Sequence, residues 1–137
     1  DRDAAQARAP RKLHIGPRTR EYAYARYLED WRAKVERIGN LNYPEEARRQ
    51  RLYGSLVVEV CLDPDGRLHA DRGGNPALAR SSGSALLDDA AIRIVQMSAP
   101  FAPFPAAMRE ALRQSGKDVL CFTRTWTFTR EDLLTGQ

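Results

Sequence analysis

Apolar residues recur along the chain with two periods, and the first predicts a helix in the N-terminal third. Between residues 24 and 38 they occur at steps of three and four, which places them on one face of an amphipathic helix. The members of this stripe are Tyr24, Leu28, Trp31, Val35 and Ile38. Thr19 is a candidate N-cap, and Gly39-Asn40 is a candidate stop signal.

Strict alternation of apolar and polar residues predicts strands farther along. Residues 55–62 alternate, and so do residues 119–129, where Arg124 interrupts an otherwise apolar face. The turn Asp63-Pro-Asp-Gly at 63–66 leads into a strand that must bulge or break at the Gly-Gly-Asn-Pro of 73–76. This strand resumes at residues 77–80.

Helices are predicted between and before these strands. A short helix follows Pro44, a longer one follows the serine-rich cap at 81–84 and ends before Pro100, and residues 106–114 form a further helical turn. The order helix, helix, strand, strand, helix, strand predicts an α+β fold. A small three-stranded antiparallel sheet is packed on one face by helices, and the amphipathic N-terminal helix is an addition to this unit.

The two ends of the chain lack such periods. We expect residues 1–18 to be a flexible linker or tail, residues 19–130 to form the domain, and residues 131–137 to be a C-terminal tail. The chain starts at Asp1 rather than at methionine, so we interpret it as an excised piece of a longer protein.

Composition excludes several classes of function. The 137 residues carry a formal net charge of +4 and contain no apolar run long enough to span a membrane. With two histidines and two separated cysteines, no metal site and no cofactor is expected.

Catalytic constellations are also missing from the sequence. Ser81, Ser82 and Ser84 lack the pattern of a nucleophile elbow, and the adjacent carboxylates Asp88 and Asp89 diverge on a helix. We therefore predict no enzyme and no catalytic residue. A basic nucleic-acid-binding module is an alternative suggested by the charge. The strand aromatics alternate on an apolar face, however, rather than along an exposed groove, so no nucleic-acid partner is expected.

The stretch Ala-Pro-Phe-Ala-Pro-Phe-Pro at 99–105 admits two interpretations. Its Pro100-x-x-Pro103 spacing fits an exposed polyproline ligand. Its place between a helix and the last strand favours instead a stiff internal connector that supplies Phe101 and Phe104 to the core.

Several motifs in a fixed order resemble the C-terminal domain of TonB proteins across about residues 19–130. The first is Tyr43-Pro44-x-x-Ala47, and the last is the Thr-Arg-Thr-Trp-Thr-Phe of the final strand. Between them lie Gly54 before a strand, Asp65-Gly66 in a turn, Ser81-Ser82-Gly83 with Leu87-Asp88, and the proline–phenylalanine stretch.

The resemblance implies a periplasmic domain of an energy transducer. Such a transducer is anchored in the inner membrane by an N-terminal helix, which this chain lacks, and works with a proton-driven complex resembling ExbB and ExbD. Its C-terminal domain binds the TonB box of outer-membrane transporters, so that siderophores or similar nutrients enter. A TolA-like envelope module is the nearest alternative, with a related fold and a different partner.

The predicted order of the three strands, 2-1-3, places the last strand at an edge of the sheet. Residues 119–129 contain no proline or glycine, so we expect an extended peptide to add there by β-augmentation. The resemblance adds the segment before the short helix. The expected peptide-binding residues are Asn40, Leu41, Asn42, Tyr43, Val119, Cys121, Thr123, Thr125 and Thr127.

The sequence leaves the state of the two cysteines and the oligomeric state open. A register that pairs Ser55 with Thr127 would place Cys61 opposite Cys121, where an oxidising periplasm would allow a disulfide. Two free thiols are the equal alternative. A homodimer formed by strand exchange is also possible.

Overall fold

The structure is a computed structural model that describes residues 10–16 and 22–137, so the candidate N-cap Thr19 lies outside the described residues. This described part contains four helices: α1 (Tyr22–Leu41), α2 (Glu45–Gln50), α3 (Ala85–Ser98) and α4 (Ala106–Gln114). It also contains five strands: β1 (Lys12–Ile15), β2 (Gly54–Leu62), β3 (Ala77–Arg80), β4 (Val119–Phe128) and β5 (Leu134–Gly136). The α+β class expected from the sequence is therefore present.

The strands form one mixed sheet, and this corrects the expected three-stranded antiparallel sheet. Its order is β1-β4-β2-β3, and β5 also pairs with β4. The strands β3, β2 and β4 keep the relative order expected for the three predicted strands. The order of the whole sheet nevertheless differs, because β1 adds parallel to β4 and β5 adds antiparallel to it.

The two additional strands lie in segments that we expected to be tails. Lys12–Ile15 alternates over only four residues, and Leu134–Gly136 has three. Runs this short carry little periodic signal, and pairing to β4 supplies the order that their sequence does not specify. The proposed division into a domain of residues 19–130 and two flanking tails remains a prediction.

Helix α1 continues through its predicted stop signal, Gly39-Asn40, and ends at Leu41. Gly39 lies inside the helix and is buried, and a Cβ placed there would lie 2.4 Å from Leu134 Cδ2 and 3.2 Å from Ile94 Cγ2. The glycine thus allows close approach of β5 and α3 to the helix rather than ending it. Asn40 is likewise helical, and its side chain bonds to the backbone of Leu134.

An aromatic cluster fastens α1 to the sheet. The ring centroid of Trp31 lies 4.8 Å from that of Phe122 in an edge-to-face contact, and 5.9 Å from that of Trp126. Both strand residues belong to the core-facing side of β4. Edge-to-face pairs of this kind add to the free energy gained from burial, so α1 is an integral layer of the domain.

The 99–105 stretch is an internal connector, as its place in the chain favoured. Phe101 and Phe104 are buried. Their backbone N–H groups donate to Gly66 O and Pro64 O, both at 2.9 Å, which holds the segment along the turn after β2. Gly66 is required there, because a Cβ at this position would lie 2.1 Å from the carbonyl oxygen of Phe101.

The serine-rich segment caps α3, and a buried carboxylate completes the cap. Ser84 is the N-cap and accepts a hydrogen bond from Leu87 N. Asp88 accepts from the Ser82 hydroxyl at 2.7 Å, from the Ser82 backbone N–H at 2.9 Å and from the Ser81 hydroxyl. Burial raises the pKa of Asp88, but these hydrogen bonds outweigh burial and lower the pKa below its ordinary value.

Replacing this carboxylate should destabilise the domain. We expect Asp88→Asn to lower the free energy of unfolding by about 1–3 kcal/mol, because a buried acceptor is lost and an amide donor is left unpaired. The measurement is urea denaturation at pH 7, with the exposed neighbour Asp89→Asn as the matched control. Equal effects of the two substitutions would contradict the assignment.

The pH dependence of this effect has a defined sign. Because the folded-state pKa is lowered, the stabilisation is fully present above the unfolded pKa of about 4 and is lost as the pH falls through the folded pKa. The difference between the unaltered chain and Asp88→Asn should therefore narrow below about pH 4.

Candidate functional site

Strand β4 is paired along nearly its whole inner side but only partly along its outer side. On the inner side it pairs antiparallel with β2. The pairing begins with Gly54 opposite Phe128 and ends with Leu62 opposite Leu120. On the outer side β1 pairs with residues 119–122, and β5 pairs with residues 126–128. The expectation that β4 offers a free edge along 119–129 is therefore wrong, because short segments from both ends of the chain pair with it.

Between these two short strands the outer side of β4 has a gap. Thr125 pairs with Gln137 through two backbone hydrogen bonds, 3.2 Å and 2.9 Å long. Within the described residues, Thr123 has no assigned cross-strand partner on this side, whereas Arg124 pairs with Val58 of β2 on the inner side. The outer side of β4 is thus closed at its two ends and interrupted in the middle.

The odd-numbered residues of β4 direct their backbone groups to this outer side. Val119 N–H donates to Arg11 O at 3.1 Å, and Thr129 N–H donates to Leu133 O at 2.8 Å. Because backbone groups alternate in direction along a strand, the residues between them with odd numbers face the same way. The strand residues proposed as peptide-binding from the sequence are therefore those that a strand added here would contact: Val119, Cys121, Thr123, Thr125 and Thr127.

The side chains of these five residues differ in how accessible they are to a partner. Val119 and Cys121 are buried, so a partner would meet them through backbone groups alone. Thr123 and Thr125 are half-buried on the sheet face opposite the helices. The Thr127 hydroxyl lies 2.7 Å from the Ser55 hydroxyl across the strand pair. The threonine side chains are thus the accessible part of this face.

The cysteines form a cross-strand disulfide. The register pairs Ser55 with Thr127 and Cys61 with Cys121, with a Cα–Cα distance of 4.1 Å at the disulfide. Of the two alternatives left open by the sequence, the structure contains the bonded form. The bond joins the two central strands of the sheet.

The Asn40–Tyr43 segment lies beside the C-terminal half of β4, and its residues have different roles. Asn40 accepts from Leu134 N at 2.8 Å and donates to Leu134 O at 3.0 Å, so it fixes β5. Tyr43 is buried, with its ring 5.7 Å from that of Phe128. Leu41, with 74% exposure, and the exposed Asn42 remain available to a partner.

A half-buried cation lies at the gap in the outer side of β4. Arg124 projects from the core-facing side, and its Nε is buried without a hydrogen-bond partner. The nearby carboxylate of Glu29 is already bound by Arg32 at 2.7 Å. Burial lowers the pKa of Arg124, Glu29 counteracts this effect, and Arg32 adds to it.

Sequence reasoning missed the residues that close the outer side. Lys12 pairs with Asp71, and Gly136 packs on Trp126. The only signal for β1 was the alternation of Leu13 and Ile15, which is too short to separate from chance. Long-range pairing places these residues at the site.

Many of the basic side chains are matched locally with acidic ones. Within the helices, arginines pair with carboxylates three residues earlier: Arg32 with Glu29, Arg48 with Glu45, Arg49 with Glu46 and Arg113 with Glu110. The strand aromatics Phe122, Trp126 and Phe128 are buried. This distribution gives no support to a groove for nucleic acid, which needs exposed aromatics beside unpaired cations.

Comparison with known proteins identifies the family of the chain. The family described as Gram-negative bacterial TonB protein C-terminal matches residues 39–117, more than half of the 137 residues. The chain belongs to this family. A search of curated proteins and a search of solved structures each found no match. Membership in the TonB C-terminal family implies a role in TonB-dependent energy transduction and interaction with TonB-dependent transporters in general.

The TonB C-terminal family is not a family of enzymes, which agrees with the interpretation of the sequence. The family match ends before β4 begins. Within residues 10–16 and 22–137, no helix is long and apolar enough to cross a membrane.

The disulfide leads to a prediction about stability. Replacing both cysteines, Cys61→Ser with Cys121→Ser, should lower the free energy of unfolding by about 2–4 kcal/mol, because the unfolded chain loses a covalent constraint. Urea denaturation of the unaltered chain, with and without reductant, is the matched comparison. Thiol labelling under denaturing conditions should find no reactive cysteine before reduction and two after it. Labelling of both cysteines in the unreduced protein would contradict the bond.

Proposed function

We propose that this chain is the periplasmic C-terminal domain of a TonB-type energy transducer. It binds the TonB box of outer-membrane transporters as a strand added to the outer side of β4. It transmits mechanical work derived from the proton-motive force for uptake of siderophores or similar nutrients. The full-length protein is anchored in the inner membrane by an N-terminal helix and works with an ExbB/ExbD-like complex.

The observation that carries this proposal is the asymmetry of β4. Its inner side is held by β2 over nearly its whole length and by a disulfide. Its outer side is held by strands of four and three residues, with a gap between them. Short strands at the edge of a sheet open at a lower free energy than its central strands. A peptide can therefore replace them without disturbing the strand to which it binds.

The disulfide supports a periplasmic location. Disulfides persist in oxidising compartments, which include the bacterial periplasm, and are rare in the cytosol. The bond between Cys61 and Cys121 also ties the peptide-binding strand to the strand behind it. A domain that transmits force through a bound peptide needs its receiving strand fixed in this way.

A titration with TonB-box peptides tests the proposal directly. Backbone amide signals of the ¹⁵N-labelled chain should shift at the outward residues 119–127 and at Leu41 and Asn42. Those of β3 should change little. A peptide of the same composition in scrambled order is the control. No shift with any TonB-box peptide, or shifts confined to β3, would overturn the proposal.

The peptide must compete with β5, and a single substitution tests this. A Cβ at Gly136 would lie 2.4 Å from the ring of Trp126, which is 1% exposed and cannot move aside. We expect Gly136→Ala to detach β5 and to strengthen TonB-box binding severalfold, because the binding-competent population rises.

Isothermal titration calorimetry measures this change in affinity. Gly73→Ala is the matched control, because its nearest neighbour would be Asp71 Oδ1 at an ordinary 3.6 Å. Weaker binding by Gly136→Ala would show that β5 belongs to the binding site instead of competing for it.

A further inference from the structure

A cavity of about 490 Å³ lies between α1, the 99–105 connector and the start of α4. The buried part of its lining, here called the floor, consists of side chains that are at most 7% exposed: Tyr27, Trp31, Phe101 and Met108. The Tyr27 hydroxyl donates to Ala102 O at 2.6 Å, and the ring centroids of Trp31 and Phe101 lie 5.6 Å apart. The floor is therefore a fixed part of the packed core.

The two sides of this cavity differ in chemistry. On the α1 side the lining residues follow one another at intervals of one helical turn: Tyr22, Arg26, Asp30 and Lys34. On the other side the lining residues of the connector and of α4 are apolar: Ala102, Pro103, Pro105 and Ala107. A bound molecule would thus meet apolar groups on the floor and on one side, and charged groups on the other side.

The volume of the cavity suits a small molecule. Protein sites for small ligands enclose about 300–1,000 Å³ and are mostly apolar, with a few polar groups that orient the ligand. Water occupies about 30 Å³ per molecule in the liquid, so the cavity holds about sixteen groups of the size of a water molecule or a methylene. A chain of about ten to fourteen carbons with a small head group has this size.

Lys34 is the cation that remains available at the cavity. Arg26 Nε lies 3.6 Å from Asp30 Oδ2, so these two charges match each other. Lys34 Nζ donates to Pro100 O at 2.9 Å and lies 5.3 Å from the ring centroid of Phe101, and among the described residues it has no carboxylate partner. Because an ammonium group has three N–H donors, Lys34 can also bind an anionic group of a ligand.

We propose that this cavity binds a single-chain anionic amphiphile, a free fatty acid of about ten to fourteen carbons. Its hydrocarbon chain lies on the floor, and its carboxylate contacts Lys34. The ligand thereby joins α1 to the connector and to α4, and it contacts Trp31, which packs on Phe122 and Trp126 of β4. The site is separate from the outer side of β4, so the inference goes beyond the proposed function and does not rest on it.

Isothermal titration calorimetry of the full chain tests the site. The probe is sodium dodecanoate below its micelle concentration, and dodecyltrimethylammonium is the control with the same chain and the opposite charge. We expect one dodecanoate to bind per chain and the cationic probe to bind about fivefold or more weakly. Equal binding of the two probes would overturn the inference. Binding to vesicles of anionic phospholipid without binding of dodecanoate would overturn it as well.

Two substitutions at exposed positions locate the bound chain. Ala107→Trp places a large side chain in the lining, whereas its neighbour Ala106 is also exposed but lies outside the lining, so Ala106→Trp is the matched control. We expect Ala107→Trp to weaken dodecanoate binding about tenfold or more, and Ala106→Trp to leave it unchanged. Equal affinities of the two variants would contradict the location.

A charge reversal locates the carboxylate. Lys34→Glu should weaken the binding of dodecanoate and strengthen that of dodecyltrimethylammonium, because an attraction becomes a repulsion. Arg37→Glu is the matched control, since it changes the net charge equally at an exposed position of the same helix outside the lining. Equal effects of the two reversals would contradict the assignment of Lys34.

Backbone amide signals provide a second measurement that needs no substitution. In the unaltered ¹⁵N-labelled chain, dodecanoate should shift the signals of Ala23, Ala102 and Ala107, which line the cavity, and leave those of β3 in place. Shifts spread over the whole surface, or an absence of shifts, would overturn the inference. TonB-box binding is read at residues 119–127, so either site can fail while the other stands.

Discussion

The antiparallel pairing of β2 with β4 is the interaction on which the rest of the structure depends. Gly54 lies opposite Phe128 at one end of this pairing, and Leu62 lies opposite Leu120 at the other. A disulfide joins the two strands on the face away from the helices. Trp31 packs on their other face and fixes α1. Strand β3 then adds to β2, and β1 and β5 add to β4. Helix α3 also contacts β2.

The same pairing explains why one side of β4 can exchange partners. Full-length pairing, burial and a covalent bond hold the inner side of β4, whereas partly exposed ion pairs, a few backbone bonds and the half-buried Leu13 and Ile15 hold β1. Partly exposed ion pairs contribute little to stability. Beside the C-terminal half of β4, Asn40 and Gly39 keep β5 against α1. The domain thus presents a rigid strand with a covering that can be replaced, which is what binding by strand addition requires.

The sequence predicted much of the fold, because most elements have a long and unambiguous period. Alternation located β2 and β4 but did not fix their register; the structure supplies the pairing of Ser55 with Thr127 and of Cys61 with Cys121. Alternation could not locate β1 and β5, whose four and three residues are ordered by pairing across the chain. Gly39 was misinterpreted for a related reason. The sequence does not distinguish a glycine that ends a helix from a glycine that leaves room for the side chain of Leu134, which is far away in the chain.

Native-state hydrogen exchange of the full chain tests the central claim most directly. Outward amides of β4, such as those of Thr125 and Thr127, bond to the C-terminal residues, whereas inward amides such as those of Phe122 and Trp126 face β2. The account predicts that the outward amides exchange through local opening, at a free energy several kcal/mol below that of the inward ones. Equal protection on both sides of β4 would contradict it.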